Sequence, residues 1–496
     1  MIILESLADI NWETVQAVAY EDAKLAVAPE LLAQVEAGRA QFEALIEAGV
    51  PCYGVTTGLG QLVTLNLSEA DRLDLPHNIL RARAAAIGQG LDRPIVRSMM
   101  MLRLVNFLSG KDGVSAELCQ FLVDRLNDNF TPYVPKFGHG MGADATAQTH
   151  AFQTFIGEGF VLGENGERAS AAEALTARGV APMTLRKKEG LALLNGISAA
   201  PAYALDAWRR LTGILCVATA VSAVSSEGCA VPKDSFDPIL KTVSVEPSTN
   251  QIIDWLQPYF ANSEIVPHKL QSAISYRVIP QVHGAMLDAL DGLRRRIEGT
   301  MQTFSDNPLM VATESRGQFL SVGLFHNQHL VNHADHVAVA LAHVGALSVR
   351  RLHRLLSAAN TGLNPQLAPR PGLDAGLVVA HKAALGILAR LKHLASPMSL
   401  LTEESSAGQE DYMSMAIPTI GRLYEMADLT EMILAYELLG GLTATAQRGV
   451  KTGDGVERIR AHFAPIVAPL LRDRSPSADV EAILAELQVE NLTWIG

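Results

Sequence analysis

Chemistry in this chain would start from a tyrosine. Tyr53 opens the loop Tyr53-Gly-Val-Thr-Thr-Gly-Leu-Gly60. A phenol carried on a glycine turn can be held against a substrate carbon, and a general acid or base needs that geometry before it needs a shifted pKa. Function clusters in shaped loops; the plainer role is a loop tyrosine that packs. A second feature is a run of histidines, His326, His329, His333 and His336, spaced three, four and three apart. On a helix this spacing puts them on one face, and imidazole is the commonest protein ligand for zinc-like metals. A metal-dependent hydrolase is one reading of that face. A polar, partly buried helix side is the other, because closed metal sites usually draw ligands from more than one element. Third, Gly138-His-Gly-Met-Gly142 is glycine-rich but lacks a preceding strand, a βαβ unit and a suitably spaced acid. It reads as an active-site or structural loop, not a phosphate cradle.

The frame that must hold these residues is predicted to be helical. Residues 1–200 are the more irregular part, with helical stretches such as 29–48 and 94–108 between glycine-rich loops. From about 201, apolar residues recur at helical spacing over 202–226, 282–304, 327–359, 376–394 and 415–446, with few breaks. Helices longer than the usual globular length predict a bundle. The tail, 456–487, predicts two shorter helices hinged at Ser475-Pro476-Ser477. Short strands are predicted near 1–4, 160–162 and 318–322. The expected division is an N-terminal lobe, 1–200, carrying active-site loops, and a long-helix bundle domain, 201–496.

Composition narrows the classes. Of 496 residues 48% are hydrophobic and 19% charged, which is globular and slightly core-rich. A net charge of −12 argues against a nucleic-acid partner, which would require a basic face. Cys52, Cys119, Cys216 and Cys229 form no CxxC pair and read as free thiols in a reducing compartment. The start, Met1-Ile-Ile-Leu-Glu-Ser6, has an early acid and no basic stretch, so no secretory leader is expected. The apolar run 211–224 is too short to cross a bilayer and reads as a buried helix. A cytoplasmic protein without a membrane partner is the expectation.

Eight segments, in order along the chain, resemble the aromatic amino-acid ammonia-lyase family, which includes histidine, phenylalanine and tyrosine ammonia-lyases. They are Tyr53–Gly60, Asn78-Ile-Leu-Arg-Ala-Arg-Ala-Ala-Ala-Ile-Gly88, Leu193-Leu-Asn-Gly196, Arg277-Val-Ile-Pro-Gln-Val-His-Gly284, Ser305-Asp-Asn-Pro-Leu309, Gly323-Leu-Phe-His326, Ser348-Val-Arg-Arg351 and Gln409-Glu-Asp411. The resemblance implies a mainly α, ammonia-lyase/fumarase-like long helical bundle, assembled as a homotetramer whose active sites take residues from three subunits. It implies that Tyr53 moves a proton at the substrate β-carbon. It places Asn195, Asn307 and Phe325 at the substrate, and Gln409 and Glu410 near its amine; the family's asparagine at Asn195 orients the electrophile, and without that group holding the loop is the alternative. A carboxylate such as Glu410 can take or give a proton if burial raises its pKa; an ion pair at a helix start is the alternative. Arg277 matches the family's carboxylate-binding arginine, and a guanidinium fork suits a carboxylate; an inter-helix salt bridge is the alternative.

The chain also departs from that pattern. The family cyclises and dehydrates an Ala-Ser-Gly triad into methylidene-imidazolone, an electrophile built from the backbone. Here the matching positions read Met141-Gly142-Ala143, with no hydroxyl to leave as water. Thr146 in Ala145-Thr146-Ala147 falls where the family has a helix, and helical backbone cannot close that ring. Ile274 stands in place of a catalytic tyrosine, with Tyr276 two positions on; Leu324 replaces an asparagine. The family's ring-selecting position holds Arg83, a permanent cation that suggests a second anionic group on the substrate. His139, beside the altered triad, is either a new acid or base or a turn residue.

The sequence therefore predicts a lyase-type enzyme that needs no cofactor. It would perform elimination or addition, isomerisation or cyclisation on a small carboxylate-bearing, amino-acid-like molecule. The alternatives are a catalytically inactive homologue that binds a ligand or serves as a scaffold, and the hydrolase built on the histidine face.

Overall fold

The protein is described from a computed structural model covering residues 1–163, 166–313, 316–487 and 494–495. Its long helices are Ala199–Gly228, Ile279–Thr300, Gln328–Leu355, Val378–Leu394 and Ala416–Arg448. They lie where the apolar periodicity puts them, displaced by a few residues at the ends. In the tail, Asp454–Phe463 and Pro476–Glu486 are helical. The chain between them runs over 464–475, so the hinge predicted at Ser475-Pro476-Ser477 is longer and begins earlier.

Strands are minor: four two-stranded sheets among the described residues. The predicted strands near 1–4, 160–162 and 318–322 appear as Ile2–Leu4, Phe160–Leu162 and Arg316–Leu320. Their partners, Leu25–Val27, Arg168–Ser170 and Leu309–Thr313, are too short to show alternation in sequence.

The chain forms two compact units. The first takes Met1–Asp206, Arg294–Ala334 and Met398–Gly421; the second takes Ala207–Leu293, Asp335–Pro397 and Arg422–Gly496. The division predicted at residue 200 falls near the first of these boundaries. The two later stretches that join the first unit were not foreseen, because most boundaries fall inside long helices where composition does not change.

Inside the second unit, small residues allow close helix approach. A Cβ on Gly440 would lie 2.7 Å from the Leu352 side chain, and one on Gly441 2.9 Å from Val224. A fully buried pair, Arg351 and Glu437, bonds at 2.6 and 2.8 Å, with Ser225 Oγ donating to the same carboxylate at 2.6 Å. The fork geometry answers both charges where water cannot.

One stretch, Glu189–Gly228, is long and apolar enough to cross a bilayer, longer than the 211–224 run suggests. Of its apolar window 83% is buried inside the protein, as in a core helix. The four cysteines are free; Cys52, Cys119 and Cys229 are buried, Cys216 partly so.

Candidate active site

A cavity of about 590 Å³ opens within the first unit, a size that suits a small ligand. It is lined by Tyr53 and Gly60, by Arg83, by Met141, Gly142 and Ala143, by Asn195 and Asn307, by Phe325, and by Gln409 and Glu410. Seven of the nine predicted site residues thus meet at one place. A larger groove of about 860 Å³ lies elsewhere on the unit. Its cations are each paired, Arg39 with Glu43, Arg186 with Glu117 and Lys187 with Glu69.

Tyr53 is fixed from within its own loop. Gly60 has φ +57, a left-handed conformation that glycine adopts without penalty. Its N–H donates to Tyr53 Oη at 2.8 Å. At the base of the loop, Thr56 Oγ1 donates to Cys52 O at 3.1 Å and accepts from Cys52 N at 2.9 Å. Tyr53 also packs on a small apolar cluster with Ile79, Leu191 and Leu194. The phenol oxygen therefore has one defined donor and keeps its own proton free for a partner in the cavity.

Asn195 and Asn307 are coupled. Asn195 ends the short helix Glu189–Leu194, and its Nδ2 donates to Asn307 O at 3.0 Å. Asn307 Oδ1 accepts from Val322 N at 2.8 Å, which ties together the two ends of the hairpin Leu309–Thr313/Arg316–Leu320. Behind them is a buried charge network that the sequence reading missed. The Lys188 ammonium pairs with Asp306 and, at 3.4 Å, with Asp112; Arg103 reaches Asp112 at 3.4 Å. Burial pushes both carboxyls up. For Asp306 the Lys188 and Arg103 charges, with hydrogen bonds from Asp112 and Lys188, together outweigh burial and hold it below the usual carboxylate range, while Asp112, facing Asp306, stays raised. Burial pulls Lys188 down, but the two aspartates hold it above its ordinary value. Asp306 Oδ1 also accepts from Asn307 N at 2.7 Å, so the network fixes the site asparagine directly. In sequence, Lys187-Lys188-Glu189 looks like a solvated charge run, and no signal separates Lys188 from it.

The loop 138–144 forms another wall. Asp144 precedes the helix Ala145–Phe152, yet its side chain does not cap that helix. One oxygen instead accepts from Ser198 N at 3.0 Å and Ala200 N at 2.8 Å, and the other from Asn327 Nδ2 at 3.1 Å. Burial pushes this carboxyl up to about 6, against the pull of those amides. Met141 and Ala143 separate the main cavity from a small one that holds His139, Thr146 and Ser414. His139 is therefore not at the main cavity. Its Nε2 bonds Pro135 O at 2.7 Å, and burial lowers its pKa. Met141, Gly142 and Ala143 offer no hydroxyl, and Thr146 lies in helical backbone. These residues do not fit a methylidene-imidazolone.

Arg83 is the last residue of the helix Glu69–Arg83, which Ser68 and Asp71 cap at its start. It is half-buried, and burial lowers its pKa, with Tyr53 and Glu410 opposing. Ser405 Oγ donates to Glu410 Oε2 at 3.1 Å. Arg277 is not among the lining residues; it belongs to the second unit, where its Nε donates to Ser272 O at 3.1 Å. Beside it Ile274 is exposed and Tyr276 fully buried, with the Tyr276 hydroxyl donating to Arg351 O at 3.2 Å. Tyr276 is thus committed to its own core and does not replace the missing tyrosine.

The histidine run is not a single helix face. The helix begins at Gln328, so His326 precedes it and stacks on Tyr412 at 5.8 Å. His333 Nδ1 is bonded to His329 O at 2.8 Å. Among the described residues no three metal-capable side chains gather. The premise of the hydrolase reading, four imidazoles on one face, fails.

A mainly α chain with long helices and a polar cavity built on a Tyr-Gly loop has the architecture of the ammonia-lyases and aminomutases. The tyrosine aminomutase from Streptomyces globisporus matches it with a TM-score of 0.90 and 26% identity, covering 97% of this chain and 96% of that one. The fold is also that of ergothionase from Treponema denticola, an ergothioneine-degrading enzyme, with TM-score 0.93, 24% identity and 99% of both chains covered. Histidine ammonia-lyase from Geobacillus thermodenitrificans is 32% identical over 478 residues, 95% of this chain and 94% of the relative. A family model described as aromatic amino acid lyase matches residues 10–464. The chain belongs to the aromatic amino acid lyase family.

Proposed function

We propose that the protein is a lyase-type enzyme that acts without methylidene-imidazolone on a small, carboxylate-bearing, amino-acid-like molecule. One observation carries this reading: Tyr53, Asn195, Asn307 and Glu410 share a cavity whose wall, Met141-Gly142-Ala143, has no hydroxyl from which to build the electrophile. Family membership supplies the class of reaction, and the relatives named for histidine and tyrosine point to amino-acid-like substrates.

In this reading Tyr53 Oη moves a proton beside the breaking or forming bond, held in place by the Gly60 amide. Glu410 exchanges a proton with the leaving or entering group. Asn195 and Asn307 hold the substrate by hydrogen bonds. The substrate brings its own activation, as a good leaving group or as a carbonyl next to the proton removed. Arg277 holds the α-carboxylate from a neighbouring subunit of a homotetramer, supported by the family resemblance of its segment and by its absence from the cavity lining. A cytoplasmic location fits the free thiols.

Turnover of amino-acid-like carboxylates after treatment with borohydride tests the reading. Activity that survives the reductant and disappears in Tyr53→Phe is expected. Activity that borohydride abolishes would overturn it. The inactive-homologue reading draws on the loss of the triad serine and on Ile274; no turnover of any such substrate would favour it.

A further inference from the structure

Arg83 is the only cation among the described residues that line the cavity. Its guanidinium has five N–H donors, yet the bond it makes among the described residues is from Nη1 to Ile79 O at 3.4 Å, within its own helix. It pairs with no carboxylate there, and Glu410 of the same cavity is engaged by Ser405. Arg39, Arg97 and Arg125 of this unit are answered. Arg39 bonds Gly113 O at 2.6 Å and Lys187 O at 2.7 Å, Arg97 bonds Val18 O at 2.7 Å and Leu126 O at 2.9 Å, and Arg125 bonds Asp128 at 2.8 Å. The helix terminus favours a cation in this turn, but Arg81 already provides one, on the exposed side, paired with Glu158 at 2.7 Å. The terminus accounts for a basic residue and not for one turned into a partly desolvated cavity, where an unanswered charge is costly.

We infer that Arg83 selects substrates that carry a distal anionic group in addition to the α-carboxylate. This rests on the lyase reading for the role of Arg277 at the α-carboxylate. Leu59, Leu62, Leu191, Leu194 and Phe325 line the same cavity, so the body between the two anions is apolar, a ring or a methylene chain. The substrate class is an amino-acid-like dianion with an apolar spacer, ending in a carboxylate or sulfonate that the guanidinium can grip with two parallel hydrogen bonds.

Isothermal titration of the intact protein with isosteric pairs tests this without turnover. The pairs are 4-carboxy-L-phenylalanine against 4-carbamoyl-L-phenylalanine, and L-glutamate against L-glutamine. In at least one pair the acid should bind about tenfold tighter or better, as expected for a charge-assisted bidentate contact. In Arg83→Met that preference should fall to about twofold or less, and Arg83→Lys should retain part of it. Equal binding of acid and amide in both pairs, no binding of any of the four, or a preference that persists in Arg83→Met would each overturn the inference. An acid preference without turnover of any substrate would leave the inference standing and remove the lyase reading; turnover of an uncharged amino acid with no acid preference would do the reverse.

Discussion

The backbone N–H of Gly60 donates to the phenol oxygen of Tyr53 at 2.8 Å, across seven residues of one loop. The catalytic candidate is therefore oriented by its own loop rather than by a distant side chain. Removing the hydroxyl in Tyr53→Phe should lower kcat by about a hundred- to ten-thousandfold, the usual worth of a positioned proton-transfer group. Stability should fall by only about 1 kcal/mol, because one hydrogen bond is lost. Steady-state kinetics with a denaturant melt checks both. An unchanged kcat would remove Tyr53 from the chemistry.

Lys188→Met would leave Asp112 and Asp306 facing each other in a fully buried site with Arg103, 3.4 Å from Asp112, as the remaining counter-charge. Breaking one side of a buried ion network costs about 3–5 kcal/mol. The Asn307 amide rests on Asp306, so substrate affinity should weaken as well. Chemical denaturation and ligand titration on the same variant should move together; a variant as stable as the parent would contradict the account of this network.

Gly190 lies where the helix Glu189–Leu194 crosses the helix Glu69–Arg83, and an added Cβ would meet Pro76 O at 2.2 Å. Neither backbone can yield without shifting Asn195 or Arg83. Gly190→Ala should destabilise by about 1–3 kcal/mol or more and weaken ligand binding. Gly386→Ala, in the open interior of the helix Val378–Leu394, should instead be neutral or stabilise by up to about 1 kcal/mol. Thermal melts of the two variants give the contrast.

Asp144 has a pH signature. Its folded pKa of about 6 lies above the ordinary carboxyl value, chiefly through burial. The folded state then holds a proton that the unfolded state has released, so stability falls as pH rises from about 4 to about 6 and levels off above, by a total on the order of 3 kcal/mol. Asp144→Asn keeps an acceptor for the Ser198 and Ala200 amides, and a flip of the Asn327 amide, whose Oδ1 has no partner, meets the new NH₂. The variant should gain on the parent steadily across that interval. Parallel stability curves would show that Asp144 does not titrate there.

Much of this was legible in the residues. The long helices followed from apolar periodicity, and the cavity from the motifs around Tyr53, Asn195, Asn307 and Gln409-Glu410. His139 was drawn to the site by its nearness to Met141 in sequence, but the Met141–Ala143 segment separates it from the main cavity. The histidine spacing of three, four and three suits one helix face, but the apolar periodicity begins only at 327, and the helix itself at Gln328 leaves His326 outside it. Lys188 looks solvated because it stands in a charged run; only the packing of separate segments, which sets it against Asp306 and Asp112, buries it. The discontinuous first unit is invisible for a similar reason, since its boundaries cut helices whose composition is continuous.

The central claim, that a lyase fold works here without its electrophile, meets its most direct test in the intact mass of the purified protein. Ring closure followed by dehydration removes two waters. A mass equal to that of the encoded chain is the predicted result, and it directs assays toward activated acidic substrates. A mass lower by two waters would contradict the account, because the chain would then carry a methylidene-imidazolone that Met141-Gly142-Ala143 cannot supply.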